Sequence, residues 1–199
     1  MFLLARYDDL ADYDWLMKEI ILHESVQADA LGDLLVRELR PQSVIDVGCG
    51  PGIYLLPFKR AGIPVYGVDG APGAGLSLSA AEFSVVDLRQ PWTPTREYDL
   101  ALCIEVAEHI RPEFADVFVD TLCACAPVVF FSAAGPGQGG EGHYNEQPQP
   151  YWEARFSSRR FRRDQEMTAR LHQTLDVDAA YEHCHWLRWN SVLFRREGL

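Results

Sequence analysis

The chain has 199 residues and a formal net charge of −11, with 29 Asp and Glu against 18 Lys and Arg. Hydrophobic residues make up 48% and charged residues 24%, a globular mixture that excludes disorder, collagen and coiled coil. The acidic balance argues against a nucleic-acid partner. No apolar run reaches the roughly 18–20 residues of a membrane span. The opening MFLLARYDDLADYDW turns acidic at once, so neither a signal peptide nor a membrane partner is expected. Five cysteines, Cys49, Cys103, Cys123, Cys125 and Cys184, form no CxxC. They read as free buried thiols in a reducing cytoplasm. Cys123 and Cys125 with His183 and His185 fit no zinc spacing, so no metal is expected.

Residues 14–40 carry apolar positions at helical spacing, from Leu16 and Ile20 through Leu34, Leu35 and Leu39, and stop before Pro41. The β-branched run 43–47 enters a glycine turn, and a helix over 54–61 follows. Strands are expected at 65–68 ending at Asp69, 83–86 ending at Asp87, 98–104 and 128–132, with a helix over 111–122. Apolar strands alternating with helices predict a doubly wound α/β sheet covered on both faces. Residues 133–152 are rich in Gly, Pro and amides and read as a long functional loop. A helix over 163–175 and a final strand over 186–195 complete the chain. The whole reads as one domain: a helical cap over 1–40, a ligand-binding core over 41–132, and an acceptor-side loop with C-terminal strands over 133–199.

The stretch VIDVGCGPG at 44–52 is the informative one. Glycines at a strand-to-helix turn permit a tight bend and close approach of a ligand to backbone. Asp69 lies 21 residues beyond Gly48, where an acid accepts both ribose hydroxyls of an adenosine ligand. Asp87 ends the next strand and can accept from an adenine amino group. The turn is GxGxG rather than GxGxxG, and Asp46 stands two residues ahead of its first glycine. A carboxylate there repels a pyrophosphate but pairs with an ammonium. The ligand that wants ribose, adenine and ammonium partners is S-adenosyl-L-methionine.

With VYGVD at 65–69, VVDL at 85–88 and YDLALCIEVAEHI at 98–110, residues 40–132 resemble the class I S-adenosylmethionine-dependent methyltransferases. The C-terminal third looks like the small bacterial members that modify small molecules or sugars. The resemblance implies a Rossmann-like sheet of seven strands, the last antiparallel. It implies cofactor contacts at Asp46, Gly48, Gly50, Asp69, Gly70, Asp87 and Leu88, with Glu105 lining the pocket. The product would be S-adenosyl-L-homocysteine.

In such a fold ligands bind outside the carboxyl ends of the strands, so the loop after the fifth strand reaches the methyl acceptor. His143 is the candidate general base and His109 the second candidate, with helix-start packing as its alternative. Asn145, Tyr151 and Trp152 are candidate acceptor contacts. Trp152 and Phe156 share a helical face, and core packing is their alternative. Arg155, Arg159, Arg160, Arg162 and Arg163 form a basic run that either grips an anion or is a solvated face pairing with Asp8, Asp9, Asp12 and Asp14. The expected activity is methyl transfer to an oxygen or nitrogen of a small polar molecule. Another S-adenosylmethionine-consuming reaction and a noncatalytic binding module are the rivals. Nucleic-acid methylation is disfavoured by charge and because IEVAEHI stands where an Asn/Asp-Pro-Pro-Tyr motif would be.

Overall fold

The computed structural model describes residues 10–71, 73–140, 142–182 and 184–198, with the side chains of 10–14 and 16 left aside. Its strands are β1 (Val44–Val47), β2 (Val65–Asp69), β3 (Phe83–Val85), β4 (Leu100–Ile104), β5 (Val128–Ser132), β6 (Phe161–Arg163) and β7 (Val192–Arg196). They form one sheet in the order β3-β2-β1-β4-β5-β7-β6. β1 pairs in parallel with both β2 and β4, Val44 facing Val65 on one side and Leu100 on the other. β5 is parallel to β4, and β7 runs antiparallel to both β5 and β6. The expected doubly wound sheet with an antiparallel last strand is what forms.

Both faces of the sheet are covered, which is why its strands are apolar throughout rather than alternating. Successive side chains point to opposite faces, and the core divides accordingly. Val44, Leu100, Leu102, Ile104 and Phe130 pack with α1 (Leu10–Leu39), α2 (Leu56–Arg60) and α5 (Gln165–Val177). Ile45, Val47, Ala101, Cys103 and Phe131 pack with α3 (Ala115–Cys125) and α4 (Gln149–Ser158). The long α1 buries Met17, Ile20, Ala28, Leu31, Leu34 and Leu35, a stripe recurring every three or four residues. All five cysteines are free, and all but Cys123 are buried.

Two elements differ from expectation. Residues 186–190 belong to a helix, α6 (His185–Asn190), and the last strand begins only at Val192. Leu187 turns into the α1 and α5 core while Trp189 stays exposed. A run this short fits helical and strand periods equally well, and packing decides. His185 opens this helix, and His183 lies outside the described residues. Phe161–Arg163 forms strand β6 because Phe161 fills the core while its backbone pairs with β7. Between β2 and β3 the described residues form turns rather than a helix. Leu78 there lies against Gly52 and Gly67, and the Gly75 and Ser77 amides donate to the Gly50 and Pro51 carbonyls.

Candidate functional site

From β1 the chain turns outward to β2, and β4 lies on β1's other side, so the crevice at their carboxyl ends is the switch point of the sheet. The turn after β1 occupies it. Gly48 sits at φ +83°, and a Cβ there would lie 2.5 Å from a Val106 methyl. Only glycine serves both constraints. The Gly48 and Cys49 amides donate to the Val68 carbonyl at 2.8 and 3.1 Å, locking the turn to β2.

The predicted cofactor acids meet around this turn with different partners. Asp46 is buried, and its Oδ1 has no hydrogen-bond partner. Burial, and then the neighbouring Asp69 charge, push its pKa well up. Asp69 is fully buried; its Oδ2 accepts from the Gly50 amide and its Oδ1 from the Ala71 amide, both at 2.8 Å. Burial raises its pKa to about 6 against the opposing pull of those amides. Gly70 is buried beside it, and Leu88 is buried in the turn after β3. Asp87 is held by Arg89, whose Nε and Nη2 donate to its two oxygens at 2.8 and 2.9 Å. That pairing lowers its pKa.

Glu105 follows β4 at φ +50°, a conformation that costs a non-glycine residue about 1–3 kcal/mol and gathers at functional sites. Its amide donates to Ser132, and its carboxylate accepts from Gln138 Nε2 at 3.0 Å and Asn190 Nδ2 at 3.1 Å. Asn190 Nδ2 also reaches Gln138 Oε1 at 2.9 Å. The end of β4, the glycine-rich loop and α6 are thereby tied together. Burial raises the Glu105 pKa in spite of these bonds. On α1, Glu24 accepts from the Tyr54 hydroxyl at 3.1 Å and is likewise raised by burial.

The segment following Glu105 turns through a 3-10 helix, Ala107–His109, and both candidate histidines come together there. The rings of His109 and His143 meet edge-to-face with centroids 4.8 Å apart. One ligand-type atom from each of Glu108, His109 and His143 lies within 4.8 Å of the others. His109 Nδ1 bonds the Gly142 carbonyl at 3.0 Å. His143 Nδ1 bonds Glu146 Oε1 at 2.9 Å. Glu108 is fully buried with neither carboxylate oxygen in a hydrogen bond of ordinary geometry, and His109 Nε2 has no partner either. Burial, reinforced by the Glu105 charge, drives the Glu108 pKa well up, although its own amide and that of Ala134 partly oppose this. Burial depresses His109 to about 3, so its imidazole is neutral.

The loop after β5 is organised by two anchors. The Glu108 carbonyl accepts the Tyr144 and Asn145 amides at 2.9 Å. Glu146 takes the Gly137 and Gly139 amides at 2.8 and 2.6 Å in addition to His143. Asn145 is buried, its Oδ1 accepting from Gln147 and its Nδ2 unpartnered. Tyr151 carries the Arg155 guanidinium 3.6 Å from its ring centroid, and its hydroxyl has no partner. Trp152 takes the core-packing alternative: it is buried against Phe131 at 5.4 Å and belongs to the cluster with Phe156 and Phe194. The basic run is not one face. Arg155 lies on α4, Arg159 and Arg160 in the turn, and Arg162 and Arg163 on β6. Their acids are Asp116 and Asp120 of α3, Glu153 and Glu197. Asp8 and Asp9, with the side chains of Asp12 and Asp14, lie outside the described set.

Residues 22–188 match the methyltransferase domain family. The chain belongs to that family, whose methyl donor is S-adenosylmethionine. The ubiquinone biosynthesis O-methyltransferase of Azorhizobium caulinodans is 33% identical in an alignment 129 positions long that covers 54% of this chain and 51% of that protein. The chain thus spans about half the length of that relative. The magnesium protoporphyrin IX methyltransferase of Synechocystis, solved with S-adenosylhomocysteine bound, superposes with a TM-score of 0.60 at 18% identity, covering 90% of this chain and 86% of that one. The sugar N-methyltransferase of a Streptoalloteichus species gives 0.57 at 14%, covering 96% and 89%. At such identities these two structures establish the shared fold. No described helix is long and apolar enough to cross a membrane.

Two parts of the site escape a linear reading. Glu108 and Glu146 carry no signal until the loop folds back on the 107–109 turn, and Gln138 and Asn190 matter only because they meet at Glu105. The two histidines were visible, but as alternatives rather than as neighbours.

Proposed function

We propose that this methyltransferase domain transfers a methyl group from S-adenosylmethionine to a hydroxyl oxygen of a small polar molecule. The observation that carries this reading is an unpartnered acid-and-imidazole cluster set beside the glycine turn on one carboxyl edge of the sheet. Val106, which closes against Gly48, is only two residues from Glu108.

The residues fit the donor. Asp46 Oδ1 is a buried acceptor without a donor, suited to the ammonium of the methionine moiety. Asp69, Gly70, Asp87 and Leu88 would hold the nucleoside, Asp87 sharing its oxygens with Arg89. When bound, the donor supplies a sulfonium methyl that needs no further activation. The chain must therefore align the acceptor in line with it and exclude water. The acceptor O–H would give up its proton to the lone pairs of the Glu108, His109 and His143 cluster, and the donor would supply the methyl and keep the pair of the broken bond on sulfur. Acceptor activation falls to Glu108, His109 and His143 as a unit, with Asn145 and Tyr151 as acceptor contacts. His109 remains neutral at physiological pH, which keeps a lone pair in the cluster.

The test uses the full chain and methyl-labelled S-adenosylmethionine with a panel of phenols, free sugars and amines. The expected result is label in an oxygen-methylated acceptor with stoichiometric S-adenosylhomocysteine. Methylthioadenosine in its place would assign another reaction of the same donor. Calorimetry showing no donor binding would leave the reading without support.

A further inference from the structure

One ligand-type atom from each of Glu108, His109 and His143 comes within 4.8 Å of the others at the 107–109 turn. A carbonyl oxygen only accepts, so the bond from His109 Nδ1 to the Gly142 carbonyl requires the proton on Nδ1. The lone pair of that neutral ring is then on Nε2, the atom that has no partner. His143 repeats the arrangement, its Nδ1 proton going to the Glu146 carboxylate and its lone pair to Nε2. Glu108 completes the set with a fully buried carboxyl whose oxygens have no hydrogen-bond partner of ordinary geometry. The loop backbone is shaped to the rings. Gly140 stands at φ +155°, and a Cβ there would collide with His143 Nε2.

We propose that Glu108, His109 and His143 form a binding site for one divalent transition-metal ion. An imidazole whose second nitrogen donates to a carbonyl or a carboxylate is the ordinary state of a metal-bound histidine, because that bond fixes both tautomer and ring orientation. Both histidines carry such a bond. The charge of a divalent ion also resolves what the apolar burial of Glu108 otherwise leaves uncompensated. Two imidazole nitrogens and one carboxylate suit Mn2+, Co2+ or Zn2+ better than Mg2+ or Ca2+, which favour all-oxygen sets. The ligand-type atoms already lie within 4.8 Å of one another, so small side-chain adjustments close the set. Three protein ligands leave coordination positions open. An acceptor hydroxyl that occupies one has its pKa lowered and loses its proton to water. This role rests on the function proposed above, whereas the binding itself does not.

The experiment strips the full chain with EDTA and titrates it with CoCl2, MnCl2 and ZnCl2, read by calorimetry and by the visible absorption of Co2+. One equivalent is expected to bind. Glu108→Gln and His143→Ala should each weaken binding about 100-fold, and Glu146→Gln, which acts only through His143, about 10-fold. Cys123→Ser should bind like wild type. Thermal melting of each metal-free variant near the wild-type temperature shows that the fold is kept. Wild-type chain that takes no ion overturns the site, as does binding that survives substitution of Glu108 and His143 or is abolished by Cys123→Ser. Equal turnover of stripped and metal-loaded chain overturns the Lewis-acid role. Stoichiometric binding that responds to the variants, without methyl transfer to any acceptor, supports the site and rejects only the proposed function.

Discussion

The two sides of the crevice handle their carboxylates in opposite ways. On the glycine-turn side Asp69 gives both oxygens to backbone amides and Asp87 gives both to Arg89. On the loop side neither Glu108 oxygen has a hydrogen bond of ordinary geometry, and His109 Nε2 and Asn145 Nδ2 are unpartnered. A buried carboxyl without a strong donor costs the folded state a raised pKa or several kcal/mol, and burial drives the Glu108 pKa well up, so the second arrangement gives up stability. The first is scaffolding on the side that the proposed function gives to the nucleoside, and the Asp69 bonds fix the turn. Asp46, buried and with one free oxygen, sits on the scaffolding side but behaves like the other.

The largest effect should come from replacing the carboxyl on the unpartnered side. Glu108→Gln is expected to lower turnover by about 100- to 10,000-fold, the scale of a lost acid–base or electrophilic partner. The same change should leave the ligand-free chain about as stable as wild type, because burial already drives the Glu108 pKa well up and the amide is isosteric with a neutral carboxyl. Initial rates and urea unfolding check the two halves. A variant that loses stability in step with activity would make Glu108 scaffolding too, and the contrast would collapse.

On the other side, Gly48→Ala should act through the fold. Its Cβ would meet Val106 at 2.5 Å in a left-handed conformation. Overpacking and backbone strain together cost about 2–4 kcal/mol, seen as a lower urea midpoint with weaker S-adenosylmethionine binding. Unchanged stability would mean that Val106 yields freely and the turn is looser than its hydrogen bonds indicate.

How much of this was legible in sequence follows the same division. Asp46, Gly48 and Asp69 are read from a contiguous run and a fixed spacing, since a strand, a tight turn and the next parallel strand leave little freedom between them. β1, β2, β4 and β5 were equally plain because strands buried on both faces are written as unbroken apolar text. The 3-residue β6 carries two arginines and was visible only as charge. Residues 186–190 failed for a different reason: a run of five with two tryptophans has no unique period, and Leu187 chose the helix by packing on α1 and α5. The cluster at Glu108 depends on a loop reaching back from residues 140–146, and no local pattern encodes that return.

Asp69 offers a pH test of the scaffolding side. Its pKa is raised from 3.8 to about 6, so the folded state holds this proton more tightly than the unfolded chain. Such a group favours folding at low pH, and its contribution falls as pH rises from about 4 to about 6. At 1.36 kcal/mol per unit, the shift corresponds to roughly 3 kcal/mol. Unfolding free energies of wild type and Asp69→Asn, measured from pH 4 to 7, should therefore diverge over that window, the variant gaining relative to wild type as pH rises. Parallel curves would show that the Gly50 and Ala71 amides fully offset burial.

The smallest effect belongs to the basic run, which lies outside the contrast and serves as its control. Arg159 donates to Asp120 at 2.6 Å and to Asp116 at 3.3 Å, and both acids are mostly exposed. Ion pairs of that kind contribute between nothing and about 1 kcal/mol, less at high salt. Its guanidinium is also occupied by the Arg155 and Asp116 carbonyls at 2.9 and 2.8 Å, which leaves it poorly placed to fork onto an anionic acceptor. Arg159→Ala should therefore lower stability by about 1 kcal/mol or less and leave the Michaelis constants for donor and acceptor unchanged. Steady-state kinetics with the acceptor identified by the labelling screen decides it. A rise confined to the acceptor's constant would move the acceptor site from the Glu108 turn toward α4 and would undo the assignment of the unpartnered side as the place where chemistry happens.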